Sequence, residues 1–161
     1  MRTILLKILL IVIVTYTVVT QASIRDDVDA VLARDQAPSG VVFEVVSGDP
    51  DFLDEAIPAI RAQIDRLREK FKDLPIAVVT HGGEQFALMA AKADDYASTH
   101  KQVKVMNLQE NIPVHVCGTH ASWRNVVEED FPDYVDVAPS GPAQIRNYIE
   151  LGYLLIGVDL N

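Results

Sequence analysis

Pro113-Val114-His115-Val116-Cys117-Gly118-Thr119-His120-Ala121-Ser122-Trp123 is the stretch that decides the fold. It reads as a short buried strand, expected over 112–117, that stops at a cysteine, turns at a glycine and enters a helix. Cys117 is the only cysteine in the chain. The turn puts its sulfur where a strand ends and a helix begins. Unpaired N–H groups of a first helical turn favour negative charge there. The thiolate is the reactive form of a thiol.

The same strand-to-helix unit recurs on both sides of this stretch. Val41-Val42-Phe43-Glu44-Val45-Val46 is a continuous β-branched and aromatic run, suited to a strand covered on both faces. Asp49 and Pro50 then predict a helix start. Leu53, Ile57, Ile60, Ile64, Leu67 and Phe71 form one helical stripe, which Pro58 should kink or delay. A second strand is expected over 75–80, closed by His81-Gly82-Gly83. Phe86, Met89, Ala90 and Ala93 suggest a helical face, and Val103 and Met106 another helix ended by Asn111. After Cys117, Thr119 is expected to cap a helix reaching Val127. A fourth strand is expected over 135–138, a helix through Ile145, Tyr148 and Ile149 ending at Gly152, and a fifth strand over 153–158. Alternating strands and helices imply an α/β domain with a parallel sheet and helices on both faces. Ligands gather at the carboxyl ends of such strands.

The chain has 161 residues, a length that suits about one domain. Its net charge of −9 disfavours nucleic acid and anionic membranes. Residues 1–22 read as an export signal: Arg2 and Lys7, then an apolar run, then small residues before a cut after Ala22. An uncleaved anchor is the alternative. Either way the folded part is expected to be periplasmic or secreted, with no membrane contact after cleavage. Residues 23–40 read as a polar lead-in and 41–161 as the domain.

Cys117 is the candidate nucleophile. His120, in the first helical turn, can hold a thiolate or pass protons. His115 alternates with Cys117 along the strand and can share its face, or be a satisfied buried histidine. His115, Cys117 and His120 also form H-x-C-x-x-H, three possible ligands for a soft metal with no fourth nearby. His81-Gly82-Gly83 is by default a plain turn, with an anion cradle as the other reading. Trp123 reads as a packing residue beside the site, and Glu44 has no assignable role. No nucleotide motif is present and no cofactor is expected. No serine sits in a nucleophile elbow.

Val116-Cys117-Gly118, Val137-Ala138-Pro139-Ser140-Gly141, Gly152-Tyr153 and Val78-Val79-Thr80-His81-Gly82 together resemble the DsrE/DsrF-like family over about residues 41–158. The resemblance implies a five-stranded parallel sheet of order 2-1-3-4-5 and assembly into oligomers. It also implies sulfur handling, with a persulfide carried at the position that Cys117 matches. The leading expectation is therefore an exported sulfur carrier or sulfurtransferase-like protein. It would take sulfane sulfur on Cys117, helped by His120, and pass it to an acceptor thiol. Its partners would be sulfur donors and acceptor thiols, either proteins or small compounds, and a second copy of itself. The alternatives are a non-enzymatic small-anion or metal binding module at the carboxyl-edge crevice and a structural subunit with an inert thiol.

Overall fold

The computed structural model describes residues 23–160, so the expected export segment lies outside the described residues. In chain order the elements are α1 (Ile24–Leu32), β1 (Gly40–Val45), α2 (Phe52–Lys70), β2 (Ile76–Thr80), α3 (Ala97–Glu110), β3 (Val114–Cys117), α4 (Gly118–Ser122), β4 (Asp136–Ala138), α5 (Gly141–Glu150) and β5 (Tyr153–Gly157). All the strands pair in parallel, in one sheet. This is the expected α/β class with helices on both faces.

The strand order is β4-β3-β2-β1-β5, which corrects the implied 2-1-3-4-5. β3 pairs with β2 rather than β1, and β5 pairs with β1 rather than β4. The cause lies in how the helices divide between the faces. Alternate residues of each strand face opposite ways. Val41, Phe43, Val78, Val114 and Val116 join the main core with residues of α1, α2, α3 and α4. Val42, Ala77 and Val79 meet Ile145 of α5 in a smaller core on the other face. Right-handed crossovers that stay on one face must step across the sheet in one direction. The chain through α2, α3 and α4 stays on the main-core face, so β1 to β4 follow in order. Only α5 crosses the opposite face, and its step runs backward, past β1, to place β5.

This arrangement positions the site. After β3 the chain turns to one face, and after β4 to the other. The crevice between their carboxyl ends is the topological switch point, where open α/β sheets bind ligands.

Local structure departs from the sequence reading in four places. Residues 23–40, read as a lead-in, contain α1. Ser23 and Asp26 form its capping box, and Ile24, Val28 and Val31 are buried. Helix α2 starts at Phe52, two residues later than expected, with Asp49 Oδ1 accepting from the Asp51 N–H at 3.0 Å and no side-chain cap bond from Asp51, and it runs through Pro58. Residues 83–92 form two 3-10 turns instead of an α-helix. The helix after Cys117 ends at Ser122, with Asn125 in the left-handed region. The left-handed ends at Asn111 and Gly152 are where the sequence places them. Among the described residues no helix is long and apolar enough to cross a membrane.

Candidate functional site

The ladder between β2 and β3 ends at Thr80 beside Val116. One step further, Cys117 has no strand residue to bond with on that side. Gln85 takes the place of one. Its Oε1 accepts from the Cys117 N–H at 2.7 Å and its Nε2 donates to the Cys117 carbonyl at 3.4 Å. Gln85 is fully buried. A side-chain amide thus extends the sheet by one rung and fixes the cysteine backbone.

Glu84 anchors the neighbouring turn. Its carboxylate is fully buried and accepts from the Thr80 hydroxyl, the Gly82 N–H at 2.9 Å and the Ser47 N–H at 2.7 Å. The anion cradle considered at His81-Gly82-Gly83 is therefore filled by the chain's own side chain. A buried carboxylate is tolerable because each donor satisfies part of its charge.

Cys117 itself caps α4, the role expected of Thr119. Its Sγ accepts from the His120 N–H at 3.4 Å, while Thr119 bonds to the Pro139 carbonyl through both its N–H and its hydroxyl. The sulfur is well covered: Cys117 is only 4% exposed. A side chain on Gly118 would stand 3.1 Å from the Ala138 carbonyl oxygen. That glycine serves the close approach of β3 and β4 rather than opening the sulfur to solvent.

The sulfur is reached through a cavity of about 240 Å³ lined by His81, Cys117, Thr119, His120, Trp123, Ser140 and Pro142. It sits at the switch point between β3 and β4. Trp123, 75% exposed, stands at its rim rather than packing inside. The His120 ring lies between Phe86, edge-on at 5.3 Å, and Trp123 at 5.4 Å. Its Nδ1 is 2.9 Å from the His81 carbonyl oxygen. A carbonyl only accepts, so Nδ1 carries a proton and Nε2 is left for chemistry.

Glu44, which the sequence reading gave no role, and His81, which it read only as part of a turn, belong here. Glu44, on the α5 face of β1, pairs its Oε1 with His81 Nε2 at 2.8 Å. His81 follows β2 at the level of Cys117 and on the same face. A side chain at Gly141 would stand 2.6 Å from His81 Cβ and 3.3 Å from Cys117 Cβ, so both pack against that glycine. Strand alternation alone carries this signal, once the strand order is known.

His115 shares the face of Cys117 but is engaged elsewhere. Its Nε2 lies 2.8 Å from the Tyr148 hydroxyl, with Asp136 4.0 Å from Nδ1. Burial pushes its imidazole below the ordinary value, against an opposing pull from Asp136. Among the described residues no group of three or more His, Cys, Asp or Glu side chains is placed to hold a metal ion.

The arrangement supplies a nucleophile, an N–H directed at its sulfur, and two imidazoles around a small, partly apolar cavity. No protein-family model and no curated protein matches the sequence. Among solved structures the chain resembles MTH1491 from Methanobacterium thermoautotrophicum, a protein of unknown function. The TM-score is 0.57 and the identity 17%, covering 73% of this chain and 96% of that one. It also resembles the ychN protein from E. coli, with a TM-score of 0.53 and 13% identity, covering 74% and 98%. Likeness at these identities speaks to architecture alone, and in architecture the chain is a DsrE-like α/β domain.

Proposed function

We propose that this protein is a sulfur carrier that accepts sulfane sulfur on Cys117 and passes it to an acceptor thiol, acting outside the cytoplasm as a homo-oligomer. The observation that supports it is the position of Cys117. It is the single cysteine of the chain, fixed at the switch point, lining the cavity, with the His120 N–H on its sulfur. In the loading step the Cys117 thiolate attacks the outer sulfur of a persulfide or polysulfide. A Cys117 S–S bond forms, the donor S–S bond breaks, and the donor departs as a thiolate. No electrons enter or leave. The N–H that meets the thiolate remains to meet it again when the sulfur is passed on. The Gln85 clamp keeps the sulfur in place through both steps, because it holds the backbone on either side of the Cys117 Cα.

The test is to incubate the purified protein with polysulfide, remove the excess, and weigh it before and after dithiothreitol. The expected result is a reductant-sensitive gain of one or more sulfur atoms, absent in a folded Cys117→Ser variant. Absence of any gain on the wild type would end this reading.

A further inference from the structure

We propose that His81, oriented by Glu44, is the base that deprotonates the acceptor thiol in the unloading step. This rests on the carrier reading and adds to it a residue, a role and a substrate requirement.

The argument begins at the 2.8 Å contact between His81 Nε2 and Glu44 Oε1. A carboxylate only accepts, so Nε2 carries the proton and Nδ1 holds the lone pair. Among the described residues nothing bonds to that Nδ1. Nδ1 is attached to Cγ, which lies 3.1 Å from where a Gly141 side chain would begin. Cys117 Cβ packs against the same spot, and both residues line the one cavity. A base whose second nitrogen is held by a carboxylate, placed beside a nucleophile, is the arrangement that activates weak nucleophiles in unrelated folds.

Here the group to activate is the incoming thiol. Cys117 already has a hydrogen-bond donor on its sulfur, and in the loaded state it is the leaving group. The acceptor arrives as R–SH and must lose its proton to attack. His81 Nδ1 takes that proton. The acceptor thiolate then attacks the outer sulfur of Cys117–S–SH. The acceptor S–S bond forms, the Cys117 S–S bond breaks, and Cys117 leaves as a thiolate onto the His120 N–H. The outer sulfur keeps its own proton, and the one on His81 returns to water. The positive charge that His81 acquires is met by Glu44, which acts as a positioning residue. The site therefore favours thiol acceptors that enter protonated.

The experiment compares two acceptors on protein loaded with polysulfide. Dithiothreitol must lose a proton to react, and sulfite at mildly alkaline pH has none to lose. Loading and unloading are followed by quenched intact mass for wild type, His81→Gln and Glu44→Gln. The expected result is normal loading in all three. Unloading to dithiothreitol should slow roughly 100-fold in His81→Gln, the size of a lost general base, and about tenfold in Glu44→Gln, where the base remains but is less well oriented. Unloading to sulfite should be unchanged. Variants that release sulfur to dithiothreitol at the wild-type rate would overturn the proposal. So would variants slowed equally toward both acceptors, which would mark a structural role. Wild type that never loads would instead remove the carrier reading and this proposal with it.

Discussion

Replacing Gln85 with methionine tests how the site is held. The two side chains are similar in length, so the core stays filled, but both hydrogen bonds to Cys117 are lost. The Cys117 N–H loses a 2.7 Å partner and its carbonyl a 3.4 Å one. Both groups lie where the side chain that served them is fully buried, so water does not readily take its place. An unsatisfied buried backbone group costs about 1–3 kcal/mol. The longer bond counts for less, and the pair together should cost roughly 2–4 kcal/mol. For a domain of this size that lowers Tm by roughly 6–16 °C. Urea and thermal unfolding followed by circular dichroism would measure it. Gln85→Glu adds a second arm. As a carboxylate it offers an oxygen to the Cys117 carbonyl, which repels it. As a neutral acid it can restore the donor. Its folded form should therefore hold the proton more tightly than the unfolded chain, and its stability relative to wild type should recover as pH falls. A Gln85→Met protein within about 0.5 kcal/mol of wild type, the range of neutral surface changes, would refute the reasoning.

His115 should make the fold sensitive to acid. Burial pushes it below its ordinary value of 6.5, so the folded form binds its proton less readily than the unfolded chain does. Stability should fall as pH drops below about 6.5 and be unaffected by this group above that value. His115→Gln should flatten part of that decline, and an unchanged pH dependence of the urea midpoint would contradict it. N-terminal sequencing of exported material should begin at Ser23, the N-cap of α1; mature protein beginning at Met1 in a membrane fraction would replace cleavage with an anchor. Light scattering at micromolar concentration should find an oligomer of the processed protein. A monomer across the concentration range would exclude one.

The fold class was readable because the strands announce themselves. Val41 to Val45 is apolar apart from Glu44, and Ile76 to Val79 is apolar throughout, as strands covered on both faces tend to be. The place of Cys117 was readable from alternation instead, since Val114 and Val116 flank His115 in a short strand that Cys117 ends against a glycine. The strand order was not, because no local pattern states which face a crossover takes. That choice follows from how α2, α3 and α5 divide between two cores. Missing the order hid the nearness of His81 to Cys117, because 2-1-3-4-5 sets β1 between β2 and β3, which in the structure pair directly. Gln85 and Glu84 were hidden differently. A buried polar residue in a turn looks like a solvated one until its backbone partners are known, and those partners are Ser47, beyond the end of β1, and Cys117 of β3. Val28, Val31 and Leu32 suggest no more than one weak helical turn in the lead-in, because apolar residues there are sparse among acidic neighbours; α1 is longer because Ser23 and Asp26 cap it and Ile24 is buried with Val28 and Val31.

The most direct measurement of the central claim is the state of Cys117 in protein isolated from its own cells, without reductant and under anaerobic conditions. The protein is labelled with an alkylating reagent, digested, and the Cys117 peptide weighed. The account predicts a fraction of that peptide carrying one extra sulfur between the cysteine and the label, lost when dithiothreitol precedes labelling. A Cys117 peptide found only as the simple thioether, in native protein and after exposure to polysulfide alike, would contradict it.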